Sequence, residues 1–96
     1  MPAYCIAEVD VTDAEGFAAY REAVPATIAQ YGGRYLARGG TVHPMEGDWQ
    51  PKRLVVLEFP SVERALAWYH SAEYREPKAL RQATATTRFV IVEGAG

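Results

Sequence analysis

Apolar residues recur along this chain with two periods. Over residues 3–11, Ala3, Cys5, Ala7, Val9 and Val11 alternate with Tyr4, Ile6, Glu8 and Asp10. Both faces are largely apolar near the start, which predicts a strand covered on both sides. At Thr12-Asp13-Ala14-Glu15 the period changes. Thr12 and Glu15 form a capping pair, and Phe17, Tyr20, Val24, Ile28 and Tyr31 follow at helical spacing. Pro25 breaks the stripe and predicts a kink or restart near Val24, because it lacks an amide donor. Gly32-Gly33 ends the helix.

Arg34 to Val42 reads as a second strand. Tyr35, Ala37, Gly39 and Thr41 lie on one face, with Arg34, Leu36, Arg38, Gly40 and Val42 on the other. Gly39-Gly40 inside it suggests a bulge or a close backbone approach. Pro44 to Pro51 is a long polar turn with Trp49 at its tip. Arg53 to Phe59 is the clearest strand; Pro60 stops it and Ser61 caps a helix from Val62 to about His70. Ser71 caps a short turn through Tyr74, Pro77 opens a further helix from Lys78 to about Ala83, and Arg88 to Glu93 is the last strand.

The order is βαββαβ with one extra helical segment, an α+β, ferredoxin-like pattern occupying residues 1–96 as one domain. Two right-handed βαβ halves joined by a hairpin give an antiparallel sheet of order 4-1-3-2, with the helices on one face. Within it the first and third strands are expected to run parallel. If Val55, Leu57 and Phe59 face the helices, Leu54, Val56 and Glu58 share the open face with Tyr4, Ile6 and Glu8. An open face this apolar predicts a homodimer closed face to face into a barrel.

Composition narrows the picture. A chain of 96 residues is marginal alone unless reinforced. Cys5 is the single cysteine, so disulfides do not reinforce it, and in an apolar run it reads as a small buried hydrophobe. His43 and His70 have no ligand spacing, so no metal is expected, and with no Gly-rich phosphate loop in the chain no other cofactor is expected either. The net charge of −2 argues against nucleic acid. No apolar run is long enough for a membrane span, and residues 1–12 lack signal-peptide character, which predicts a cytoplasmic protein.

Candidate chemistry concentrates on Glu8, Glu58 and Arg38. A hairpin register setting Arg38 opposite Glu58 would join two carboxylates and a guanidinium on the barrel face. One carboxylate could then act as a base while Arg38 holds an anionic group. The same cluster also reads as a structural ion pair, the favoured alternative. His43 is a candidate acid or base, although an exposed loop histidine is the simpler reading. Trp49 either closes a pocket or anchors an interface. Tyr20 and Tyr69 could point hydroxyls into a cavity between helices and sheet. Trp68 and Tyr74 read as core, and Arg21 as a solvated helix residue.

Tyr4 to Glu8, Tyr20-Arg21, Tyr31-Gly32-Gly33-Arg34, Arg38-Gly39-Gly40, Glu46-Gly47-Asp48-Trp49 with Pro51, Arg53 to Ser61, and Trp68-Tyr69 with Ser71 and Tyr74 together resemble the bacterial family called domain of unknown function 1330. That family lies within the dimeric α/β-barrel superfamily, and the resemblance covers about residues 3–93, nearly the whole chain. It implies the fold and the dimer. Superfamily relatives include cofactor-independent monooxygenases, haem-degrading enzymes and lactone isomerases. The expectation is therefore a cofactor-free isomerase or oxygenase acting on a compact aromatic or carbonyl substrate, or else a non-catalytic dimer that binds a small molecule.

Overall fold

The computed structural model describes residues 1–95. The elements are β1 (Ala3–Val11), α1 (Ala14–Gln30), β2 (Arg34–Arg38), β3 (Leu54–Phe59), α2 (Val62–Tyr69), α3 (Ala72–Thr84) and β4 (Ala85–Glu93). The strands form one sheet in the order β2-β3-β1-β4, which from the other edge reads 4-1-3-2. β1 lies between β3 and β4, and every neighbouring pair is antiparallel. This corrects the expected parallel pairing of β1 and β3. The α1 crossover makes β2 parallel to β1, and β3 returns antiparallel to β2, so β3 must oppose β1.

Strand alternation sets the layers. Ala3, Cys5, Ala7 and Val9 of β1 are buried with Leu57 and Phe59 of β3, while the alternate residues of β1 and β3 are mostly half-buried. Trp68 stacks on Tyr74 with ring centroids 4.1 Å apart and lies 5.4 Å from Phe59. These three rings are essentially removed from solvent and tie both later helices to the sheet. The opposite face stays open, with Val90 and Val92 59% and 47% exposed.

The caps at Ser61 and Ser71 form as the sequence suggests, each hydroxyl accepting at 3.1 Å from the amide three residues on. The first helix is capped by Asp13 rather than Thr12. The Thr12 amide is committed to the Thr84 carbonyl at 2.8 Å, and the Asp13 carboxylate accepts from the Gly16 amide at 3.3 Å. α1 runs continuously through Pro25 and does not restart at Val24. α3 likewise runs through Pro77, merging the expected turn and the expected later helix. A single buried stripe of Tyr74, Arg81 and Thr84 overrides the local signal.

β4 begins at Ala85, earlier than expected, because Ala85, Thr86 and Thr87 pair with Val11, Asp10 and Val9. β2 ends at Arg38, short of Val42. Gly39 adopts φ +72°, and its amide donates to the Leu54 carbonyl at 2.9 Å. No helix among the described residues is long and apolar enough to cross a membrane.

Candidate ligand-binding site

The β2–β3 register decides which arginine faces which layer. Arg34 pairs with Glu58 and Tyr35 with Leu57, but Ala37 pairs with Val56 and Arg38 with Val55. Leu36 is thus the extra residue of a bulge. Beyond a bulge the inward–outward alternation reverses. Arg38 therefore lies on the helix side with Tyr35, not on the open face with Glu58. The expected Arg38–Glu58 pairing is corrected: Glu58 Oε1 accepts from Arg34 Nε at 2.7 Å. Antiparallel pairing also separates the two carboxylates, because Glu8 stands opposite Leu54 and Glu58 opposite Tyr4.

Beneath the helices, Arg38, Val55, Ala7 and Phe89 occupy one row across all four strands. The middle of this floor is low, since β1 presents only Cys5, Ala7 and Val9 there. Over it α1 brings Phe17, Tyr20, Val24 and Ile28, leaving a cavity of about 40 Å³. Arg21, Arg38, Arg53 and Arg81 also line it, with no Asp, Glu or His among the described lining residues.

The arginines are held by oxygens and rings rather than by carboxylates. Arg38 Nη2 donates to the Arg21 carbonyl at 2.7 Å, and its guanidinium lies 4.6 Å from the Tyr35 ring centroid. Arg53 lies 5.6 Å from the Phe17 ring, and its Nε is buried without a hydrogen-bond partner. Burial, with the charges of Arg21 and Arg38, holds the Arg53 guanidinium below its ordinary value. A Cβ on Gly39 would collide with that guanidinium, so the glycine is what lets Arg53 lie there.

Arg81 is 5% exposed; its Nε donates to the Tyr74 hydroxyl at 3.2 Å. The Tyr74 and Tyr20 hydroxyls are 2.8 Å apart. Burial, reinforced by Tyr74, pushes the Tyr20 phenol up, so it stays protonated and able to donate. Burial pushes the Cys5 thiol up to about 12, which keeps it an uncharged wall rather than a nucleophile.

Of the residues singled out in sequence, Tyr20 and Arg38 line this cavity. Glu8 and Trp49 meet on the open face, where the indole N–H donates to Glu8 Oε2 at 3.2 Å and Arg88 approaches Glu8 at 3.8 Å. Glu58 lies in an open groove beside Pro60. Tyr69 lines a shallow groove with Leu66 and Phe89, and Lys78 Nζ sits 4.3 Å from its ring centroid. His43 is exposed on the long loop, and no group of described residues forms a metal-binding cluster.

Sequence reasoning missed Arg53 and Arg81 and set Arg21 aside, though two signals were present. Arg53 shares strand parity with Val55, Leu57 and Phe59. Arg81 falls seven residues after Tyr74, on the same helical stripe.

The fold and cavity define a ferredoxin-like α+β protein with an arginine-lined space between sheet and helices. The chain belongs to the family described as domain of unknown function (DUF1330), whose model matches residues 2–95. No curated protein matches it. Among solved structures it is similar to a protein of unknown function from Rhodopseudomonas palustris, at 21% identity and TM-score 0.80, covering 99% of this chain and 83% of that one. SnoaB, a cofactor-independent oxygenase from Streptomyces nogalater, superposes with TM-score 0.70 at 9% identity, covering 99% and 94%. A dimeric ferredoxin-like protein of unknown function from Bacteroides fragilis gives TM-score 0.56 at 14% identity, covering 97% and 96%. At these identities the likeness is one of fold.

Proposed function

We propose that this protein binds a compact anionic ring compound in the cavity between its sheet and helices, as a homodimer packed through its open sheet faces. The observation that carries the reading is the set of four arginines on an otherwise apolar, aromatic wall that holds no carboxylate among the described residues. Arg81 is buried and Arg53 half-buried with no carboxylate among the described lining residues, a costly arrangement that a bound anion relieves, while Arg21 and Arg38 stand exposed at the opening. The free space is smaller than the ~150 Å³ that accepts benzene in an engineered apolar cavity. A ring therefore enters only as the Arg38 and Arg53 side chains at the mouth shift aside, and these then meet it with charge.

The homodimer rests on the apolar row Ala37, Val56, Ile6 and Val90 across the open face, and on the dimeric relative of the same fold.

A second reading, cofactor-free oxygenation, is favoured by the likeness to SnoaB. The arginine field stabilises the enolate or phenolate form of a bound ring, so ionisation requires no base beyond water. The ionised carbon gives electrons to dioxygen and forms a C–O bond. Protonation of the peroxide, with the Tyr20 hydroxyl in reach as a donor, and loss of water leave a carbonyl. The balance is one CH₂ and one O₂ to one C=O and one H₂O.

Titration calorimetry with benzoate and its neutral isostere benzamide tests the binding. Benzoate binds and benzamide does not, and Arg53→Met weakens benzoate by tenfold or more. Equal binding of the two compounds would sink the proposal. Oxygen uptake with a panel of enolisable ring ketones tests the second reading, and no uptake above buffer across the panel rejects it.

A further inference from the structure

The four arginines do not form one cluster. Arg21, Arg38 and Arg53 stand together at the mouth, where the charges of the first two lower the third. They project from α1, from the last residue of β2 and from the residue before β3. Arg81 projects from α3 at the far side, 5.8 Å from the ring centroid of Phe89 on β4. The row from Arg38 through Val55 and Ala7 to Phe89 crosses the whole sheet. Adjacent strands lie about 4.8 Å apart, so the row separates its ends by three such spacings, on the order of 14 Å at the backbone.

The two ends also differ in kind. The mouth has three guanidiniums, with Arg21 and Arg38 exposed and Arg53 half-buried, its Nε buried and unpartnered. The inner end has one buried guanidinium set beside paired phenols, Tyr74 and Tyr20. Among the described residues, Glu8, Asp10 and Glu58 are the carboxylates in ion pairs, and their partners are Arg88, Lys52 and Arg34. None of the four cavity arginines is neutralised that way. Between the two ends the lining is apolar: Ala7, Val55, Leu57 and Trp68.

We propose that the ligand is a compact ring bearing two acidic oxygen groups. One group is taken by Arg81 with the Tyr20 and Tyr74 hydroxyls, the other by Arg21, Arg38 and Arg53 at the mouth. The inference rests on the reading of the cavity as an anion site and adds the number and placement of the charges. The inner end suits a carboxylate or an enolate oxygen, because it combines one fixed cation with a phenol donor. The mouth suits a solvated carboxylate that follows the ring in. A neutral ring with one acid leaves one end unmatched and gains less.

The experiment titrates the wild-type protein with benzoate and with phthalate, isophthalate and terephthalate. At least one diacid binds ten times or more tightly than benzoate. In Arg81→Met and in Arg53→Met that advantage falls below threefold. Tyr20→Phe removes an inner hydroxyl while keeping the ring, and reduces the advantage at least threefold. It reports on the inner end even if Arg81→Met fails to fold. Benzoate binding that no diacid exceeds overturns the two-ended inference and leaves the anion site standing. Absence of binding by benzoate and all three diacids at millimolar concentration overturns the anion site and this inference with it.

Discussion

Arg38 Nη2 donates to the main-chain carbonyl of Arg21 at 2.7 Å, an oxygen left free because the residue four positions on is Pro25. In an unbroken helix the amide of residue 25 would occupy that carbonyl. A proline in mid-helix thus provides an acceptor on the helix flank, and the acceptor holds a guanidinium at the cavity mouth. The sequence pattern marks Pro25 as a local defect, while the structure gives it a tertiary partner.

Pro25→Ala returns an amide to compete for the Arg21 carbonyl. Helix propensity favours Ala by about 3 kcal/mol, so stability by calorimetry should be unchanged or improved. Binding of a ring acid should weaken three- to tenfold as Arg38 loses its anchor. Unchanged affinity would separate Pro25 from the positioning of Arg38.

Glu58→Gln tests the opposite side of the sheet. Its partner Arg34 is 71% exposed, and exposed ion pairs contribute roughly 0–1 kcal/mol. The variant should lose less than about 1 kcal/mol by denaturant unfolding and retain wild-type affinity for a ring acid. A tenfold affinity loss would bring Glu58 back as a functional carboxylate.

Val56→Asp places a charge in the middle of the apolar row on the open face, opposite Ile6 and Ala37. In a face-to-face dimer each copy buries that unpaired charge, at about 3–5 kcal/mol. Sedimentation should show a wild-type dimer and a variant that is monomeric at micromolar concentration. A monomeric wild type would remove the barrel.

The Cys5 thiol, pushed up from 9.0 to about 12, makes a pH prediction. Below pH 9 the thiol is protonated in both folded and unfolded chains. Between pH 9 and 12 only the unfolded thiol ionises, so its contribution to stability is lost as pH rises, by up to about 1.4 kcal/mol per pH unit. Cys5→Ala should flatten this alkaline slope relative to wild type. In native protein at pH 8, iodoacetamide should leave Cys5 unmodified, as mass spectrometry can verify.

Where a signal was local, the sequence carried it. The alternation of β1, the stop at Pro60 and the serine caps depend on near neighbours alone. The face of Arg38 was not legible in that way. It depends on the bulge at Leu36, a residue type with no bulge signature, whereas Gly39-Gly40 suggested the irregularity slightly too late. Arg81 was hidden for another reason. Arginine on a helix is normally solvated, and only its spacing from Tyr74 reveals that it belongs to the buried stripe. The cavity itself comes from the small side chains of β1, which read in sequence as ordinary core.

The central place of β1 has a consequence for the order of events in folding. Its two sheet neighbours are supplied from far along the chain, Ala3 meeting Phe59 on one side and Glu93 on the other. Helices and the β2–β3 hairpin can form from nearby residues, but the sheet cannot close around its middle strand until β4 is available. Such long-range pairing slows folding, because loop closure must precede the contacts that reward it. During synthesis β1 is made well before either neighbour, and even after β3 follows, one of its edges stays open to a wrong partner until β4 is made.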